Sequence, residues 1–136
     1  MEYNLVHAMF GRFGVLIPLL GLFFELASII TQKSLVSRIS GAIVIFGSLI
    51  VMVAFLTGLE EISYLMSMNQ DVHFYMIHIV SGGVVAFLFI VIFFIRIYLY
   101  KKVSDRIVVL YMIIYVFVVM VNLFSNEFII HTLRGE

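Results

Sequence analysis

The segment FYMIHIVSGGVVAFLFIVIFFIRIY, residues 74–98, decides the fold of this 136-residue chain. It contains a single histidine, His78, near its start and a single charged residue, Arg96, near its end. About 20 consecutive apolar residues in a helix cross the hydrocarbon core of a bilayer. The segment is therefore predicted to be a transmembrane helix.

Three further segments have the same character. They are residues 9–30, 39–59 and 107–124. The links are short, and short links make successive helices antiparallel neighbours whose backbone polar groups are satisfied within each helix. We therefore predict an all-α fold, an integral membrane up-and-down four-helix bundle, in which residues 1–136 form a single transmembrane domain.

Composition supports this class and excludes several chemistries. Hydrophobic residues make up 64% of the chain and charged residues 12%, whereas soluble proteins are about a quarter charged. Cysteine is absent, which excludes disulfides, cysteine-ligated clusters and covalent attachment of c-type haem. No phosphate loop or hydrolase signature is present, so we expect an electron-transfer subunit rather than an enzyme by itself, and no nucleic-acid partner.

Charge placement predicts the orientation of the bundle. Six of the eight basic residues lie in or beside the first and third links: Lys33, Arg38, Arg96, Lys101, Lys102 and Arg106. The other side carries Glu2, Glu60, Glu61, Asp71, Glu127 and Glu136. By the positive-inside rule, both termini face outward from a bacterial or archaeal cytoplasmic membrane that the chain crosses several times.

Two histidines stand at the mouths of apolar segments. His7 precedes Gly11 by four residues, and His78 precedes Gly82 by four residues. Positions i and i+4 share a helix face, so each glycine leaves a patch free of side chains beside an imidazole. Because imidazole is an axial ligand of haem iron and the porphyrin needs a slot between helices, we predict His7 and His78 as metal ligands of a bis-histidine haem b. The alternative is interfacial histidines hydrogen-bonded to backbone or lipid headgroups.

A weak internal repeat supports this pairing. Setting His7 on His78 aligns the two glycines and places Glu25 opposite Arg96. Such a repeat implies two pseudo-repeated helical hairpins related by an axis along the membrane normal. It predicts that the histidines face each other across the bundle and that Glu25 pairs with Arg96 near the inner side.

Two other residues are candidate members of the site. Arg12 lies just inside the first span, where an unpaired guanidinium is costly. It can bind a haem propionate, or a carboxylate such as Glu60 or Glu61, or it can reach outward to a lipid phosphate. His131 lies beyond the fourth span and is a candidate third ligand, a neighbour of the ligands or a residue of the tail.

Copper is the alternative metal. Tyr64-Leu65-Met66-Ser67-Met68, interpreted as a loop and continued through His73, Met76 and His78, supplies thioethers and imidazoles on the outer side, and soft ligands suit Cu(I). Methionine is also an ordinary gap-filler. His73 points roughly 140° away from His78 on a helix, so the two are not expected to share one ion.

The chain resembles a known family. His7-Ala8-Met9-Phe10-Gly11-Arg12-Phe13-Gly14 is similar to the His-x4-His-Phe-Pro opening of a bacterial four-helix membrane domain of unknown function, family 2231. Thr57-Gly58-Leu59-Glu60 is similar to that family's Thr-Gly-Leu-Asp, and His78 and His131 to its later histidines. Its members occur fused to Rieske or cytochrome c domains, which implies a membrane redox role. Here Arg12 replaces the family's second histidine and Gly14 its proline, so a ligand at that second position would be missing.

The sequence thus predicts a small b-type cytochrome or cytochrome-like subunit that carries electrons at the outer face of the membrane. Membrane lipid surrounds it, its redox partner is a further subunit or a quinol, and it works alone or as a homo- or hetero-oligomer. The alternatives are a non-catalytic anchor or assembly subunit of a larger complex, and an outer-face copper-binding protein.

Overall fold

The computed structural model describes the backbone of residues 2–134 and the side chains of residues 5–73 and 75–126. Four long helices follow one another: α1 Glu2–Thr31, α2 Ser34–Ser67, α3 Met76–Lys101 and α4 Asp105–Arg134. A short 3-10 turn, His73–Tyr75, precedes α3. All four helices are long and apolar enough to cross a membrane, and the described chain contains no strand. The predicted all-α four-helix bundle is confirmed.

The second helix is longer than predicted. It continues past residue 59 to Ser67, so the expected loop over residues 60–73 is mostly helix, and the stretch from Tyr64 to Ser67 is not a loop. Hydropathy falls at Glu60 and Glu61, but neither glycine nor proline follows to break the helix. The helix ends beside Asn69, whose φ of 58° is the left-handed conformation that terminates helices.

The helices pack as a ring with a thin core. α1 and α3 each contact α2 and α4, which places α1 and α3 on the diagonal of the bundle. Val44, Phe89, Ile92, Tyr115 and Val118 are buried along its centre. Large apolar side chains such as Leu16, Phe46, Phe87 and Ile113 are exposed on the outside. An apolar exterior of this kind fits contact with lipid.

The predicted pairing of Glu25 with Arg96 is confirmed. Arg96 Nε lies 3.1 Å from Glu25 Oε2, and the two residues are 4% and 5% exposed. Arg96 Nη2 donates to the Ser37 carbonyl at 2.6 Å, and the Ser40 hydroxyl donates to Glu25. The pair therefore joins the diagonal helices across α2. We call this end of the bundle the ion-pair end.

Gly41 makes this crossing sterically possible. A Cβ atom at Gly41 would lie 2.8 Å from Arg96 Cζ and closer still to the Tyr100 ring. Arg96 Cζ in turn lies 4.8 Å from the centre of the Tyr100 ring, a cation–π contact. Tyr100 also donates to the Arg38 carbonyl at 2.8 Å. A side chain at position 41 would displace Arg96 from the path that leads to Glu25.

We expect Arg96→Met to lower the free energy of unfolding by about 3–5 kcal/mol, because it leaves the Glu25 carboxylate buried without its counter-charge. Unfolding of the purified chain in mixed micelles, followed by far-ultraviolet circular dichroism, measures this loss. Adding Glu25→Gln should recover part of it. The matched control is Arg106→Met, at an exposed arginine. An equal loss in the Arg96 and Arg106 variants would contradict a stabilising role for the pair.

Candidate cofactor cavity

A cavity of about 540 Å³ lies at the other end of the bundle, which we call the histidine end. His7 is 25 − 7 = 18 residues from Glu25, which is roughly 27 Å along α1. Cofactor pockets are typically about 300–1,000 Å³. Five of the predicted site residues line this cavity: His7, Gly11, Arg12, His78 and Gly82. The sixth, His131, has its side chain outside the described residues.

The contacts of His7 favour a proton on one ring nitrogen. His7 Nδ1 lies 3.0 Å from the Thr57 hydroxyl, and that hydroxyl lies 2.9 Å from the Ala54 carbonyl. When the hydroxyl donates its one hydrogen to that carbonyl, it accepts from His7 Nδ1–H. The other nitrogen, Nε2, is then unprotonated and has a lone pair. Thr57 thus orients the ring on the wall of the cavity.

The absence of a side chain at Gly58 leaves room for the His7 ring. A Cβ atom at Gly58 would lie 2.9 Å from His7 Cε1, closer than carbon atoms approach without displacement. The ring therefore rests directly on the backbone of α2, one residue after the threonine that binds it. Thr57 and Gly58 are thus adjacent residues of α2 that both contact His7.

The hydrogen bonds of His78 lead to the same assignment. The Ser81 hydroxyl donates to the His78 carbonyl at 3.1 Å and lies 2.7 Å from the Ser125 hydroxyl. With Ser81 donating to that carbonyl, Ser125 donates to Ser81 and accepts from His78 Nδ1, which lies 3.3 Å away. Nε2 of His78 is again the nitrogen with a free lone pair. A closed circuit through two serines on α3 and α4 thus holds this imidazole.

Both imidazoles are arranged as metal-binding histidines usually are. A ligating histidine donates its second ring N–H to a neighbouring acceptor, which fixes its tautomer and orientation. His7 and His78 both do so, from helices on the diagonal of the bundle and on the wall of one cavity. Their partners are side chains of other helices rather than their own backbone. The pair can supply two nitrogen ligands to one flat cofactor between α1 and α3.

The two predicted glycines leave open space beside the histidines. The nearest atom to a Cβ at Gly11 would be Asn126 Oδ1 at 3.9 Å, and at Gly82 it would be a Phe55 ring carbon at 3.8 Å. Both are ordinary van der Waals distances. A methyl group would fit at either position, whereas a longer side chain would enter the cavity.

Arg12 places a positive charge at this cavity. Its side chain is exposed, and Glu61 lines the same cavity, but no ion pair joins these two residues. The described side chains give its guanidinium no hydrogen bond or ion pair. Of the two carboxylates predicted as partners, Glu60 does not line the cavity. Arg12 is therefore positioned to bind an anionic group that enters the cavity or lies at its mouth.

Asn122 supplies a hydrogen bond that α1 lacks. Pro18 lies inside α1 and has no N–H for the carbonyl of Gly14 four residues before it. Asn122 Nδ2 on α4 donates to that carbonyl at 2.9 Å. Asn126 Nδ2 in turn donates to Asn122 Oδ1 at 3.1 Å. The backbone opening made by the proline is thus closed by a neighbouring helix at the wall of the cavity.

The residues proposed for copper are not gathered into a site. His73 is exposed in the 3-10 turn and does not line the cavity, and Met66 and Met68 are exposed. In the part of the chain that the structure describes, no group of three or more His, Cys, Asp or Glu side chains could hold a metal ion. The described residues therefore provide no cluster of His, Cys, Asp or Glu side chains for a copper ion.

The sequence analysis missed the hydroxyl residues that hold the two rings. Thr57, Ser81 and Ser125 were not predicted as site residues. A signal was present, because each lies near the predicted outer end of an apolar segment, at the depth of a histidine. Which hydroxyl meets which ring depends on helix rotation, which the sequence does not show.

Fold and cavity together define a four-helix protein fit to cross a membrane, with a histidine-walled cavity at one end. Comparison with protein-family models, with characterised proteins and with solved structures gave no match. The resemblance to family 2231 stays a prediction.

We expect Asn122→Ala to lower the free energy of unfolding by about 1 kcal/mol, because it leaves the Gly14 carbonyl without a donor. In a Pro18→Ala background the same substitution should cost much less, since the restored backbone N–H can bind that carbonyl. The four unfolding free energies form a double-mutant cycle. Equal losses from Asn122→Ala in both backgrounds would show that the two residues are not coupled.

Proposed function

We propose that the protein is a small b-type cytochrome, with one haem held between His7 and His78 at the outer side of a bacterial or archaeal cytoplasmic membrane. The observation that carries the proposal is the matched state of the two imidazoles. Each has its Nδ1 within hydrogen-bonding distance of a hydroxyl on another helix, which leaves Nε2 available to a ligand, and both line one cavity of about 540 Å³.

The residues around the histidines suit a porphyrin. Gly11 and Gly82 leave room for a flat ring, and Phe55, Val51 and Val85 give the cavity an apolar wall. A bound haem supplies reversible one-electron chemistry. The chain's own contribution is to fix both imidazoles, to surround the ring with apolar side chains, and so to tune its reduction potential.

Arg12 supplies a positive charge at the cavity that would suit the propionates of a haem. A haem carries two propionates, and a guanidinium binds a carboxylate with two parallel hydrogen bonds. Arg12 lies one residue beyond Gly11 on α1 and has no partner among the described side chains. It would hold a propionate near the mouth of the cavity. This contact would favour one orientation of the ring.

The site lies at one end of the bundle, which limits the path of the electrons. The ion-pair end contains no second histidine pair among the described residues, and roughly 27 Å of α1 separates the two ends. Electron exchange is therefore proposed at the outer side alone. Its partners would be a donor in the membrane and a one-electron acceptor at the outer face.

The protein purified in detergent from haem-replete cells should show a sharp α-band of b type after dithionite reduction, with about one haem per chain by the pyridine haemochrome assay. His7→Ala and His78→Ala should each reduce haem content to baseline, because each removes an axial ligand. His73→Ala is the matched control and should keep the parent haem content. A colourless parent protein would refute the proposal, and equal loss in the His73 variant would refute the ligand assignment.

Gly82→Leu should abolish haem retention without removing a ligand, because its side chain would enter the space beside His78. Gly83→Leu is the matched control: a Cβ there meets Phe55 at the same 3.8 Å, but Gly83 does not line the cavity. The same haemochrome assay measures both variants, and circular dichroism confirms that both remain helical. Unchanged haem content in the Gly82 variant would show that the ring does not pack on this glycine.

A further inference from the structure

A second opening of about 400 Å³ lies on the outside of the bundle between α3 and α4. Its wall consists of Ile77, Ser81, Phe117, Met120, Val121, Phe124 and Ser125. Four of the apolar residues in that wall are exposed, in segments that fit lipid contact. We call this opening the α3–α4 groove. A ligand in it would enter sideways from the membrane.

The two polar side chains of the groove belong to the circuit that holds His78. Ser81 and Ser125 lie 2.7 Å apart, and Ser125 lies 3.3 Å from His78 Nδ1. Ser125 also lines the histidine cavity. Ser125 therefore lies between the groove and the cavity. A hydroxyl has two acceptor lone pairs, so either serine can accept from a ligand head while keeping its contact within the circuit.

The chemistry of the groove selects the kind of ligand. No charged residue lines it, which disfavours the phosphate headgroup of a phospholipid. Its apolar length suits a hydrocarbon tail, and the serine oxygens can accept hydrogen bonds from an uncharged hydroxyl-bearing head. A lipid-soluble hydroquinone combines these features. Bound there, its ring would lie next to Ser81 and Ser125, of which Ser125 contacts the His78 imidazole.

We propose that the α3–α4 groove binds a lipid-soluble hydroquinone, with Ser81 and Ser125 accepting from its head, and that this molecule is the membrane electron donor. The inference rests on the proposed haem. Oxidation of the hydroquinone to the quinone breaks two O–H bonds and releases two electrons and two protons. In a protein that holds the proposed haem, the two electrons would leave one at a time through that haem to a one-electron acceptor at the outer face, and the two protons would leave to water.

The test uses the full chain in phosphatidylcholine vesicles and a photoreactive azido-hydroquinone, kept reduced under argon, as the probe. Peptides covering residues 117–125 should be labelled, and decylubiquinol should compete. Met120→Trp fills the groove and should lower labelling by at least about tenfold. Ile113→Trp is the matched control, because Ile113 is exposed on the same helix outside the groove, and its labelling should equal that of the parent. Ser81→Ala removes an acceptor and should lower labelling without filling the groove.

Labelling of the Met120 variant at the parent level would overturn the groove assignment. Competition by decane as effective as that by decylubiquinol would also overturn it, since the groove would then hold an alkyl chain without binding the head. Haem content is measured on the same samples. A haem-containing protein that is not labelled refutes the groove alone, whereas a colourless protein that is labelled refutes the haem and the donor role but not hydroquinone binding.

Discussion

The buried ion pair between Glu25 and Arg96 is the constraint on which the rest of the bundle depends. A charge removed from water costs several kcal/mol unless it is paired and its hydrogen bonds are satisfied. The two residues stand on diagonal helices, so they can meet only by crossing α2 over Gly41. Their meeting fixes the height of α1 relative to α3. Eighteen residues back along each helix, 25 − 7 and 96 − 78, stand His7 and His78, and the ion pair therefore also sets the two imidazoles at the same depth.

The two ends of the bundle differ in how far the protein satisfies its own polar groups. At the ion-pair end, Glu25 and Arg96 form an ion pair, and Ser37, Ser40 and Tyr100 contact it, while Arg96 Nε and the Tyr111 hydroxyl make no well-aligned hydrogen bond. At the histidine end, one nitrogen of each ring contacts a hydroxyl, and a cavity adjoins both rings. Arg12 has no partner there among the described side chains. The charges of the first end are thus paired within the protein, whereas the second end has an open cavity and an unpaired cation.

Much of the fold and part of the candidate site could be predicted from the sequence, because a transmembrane helix requires a long run of apolar residues that is easy to recognise. Segment length and hydropathy predicted the four helices. The equal offset of 18 residues, from His7 to Glu25 and from His78 to Arg96, predicted the ion pair. The end of α2 was predicted at residue 59 and lies at Ser67, because hydropathy marks where the chain leaves the apolar phase and not where the helix stops. Thr57 and Ser81 were missed because hydrogen bonds between helices depend on their rotation about their axes. That rotation follows from packing of the whole bundle.

The closed ion-pair end has a consequence for how the protein is made. The joint of Glu25, Arg96, Ser40 and Gly41 forms from the chain alone, so insertion and closure of that half do not wait for any small molecule. The cavity lies at the opposite end. On its wall, Asn122 of α4 donates the hydrogen bond to the Gly14 carbonyl that Pro18 cannot supply. A haem bound as proposed would therefore enter after the helices have assembled, from the end of the bundle where the cavity lies.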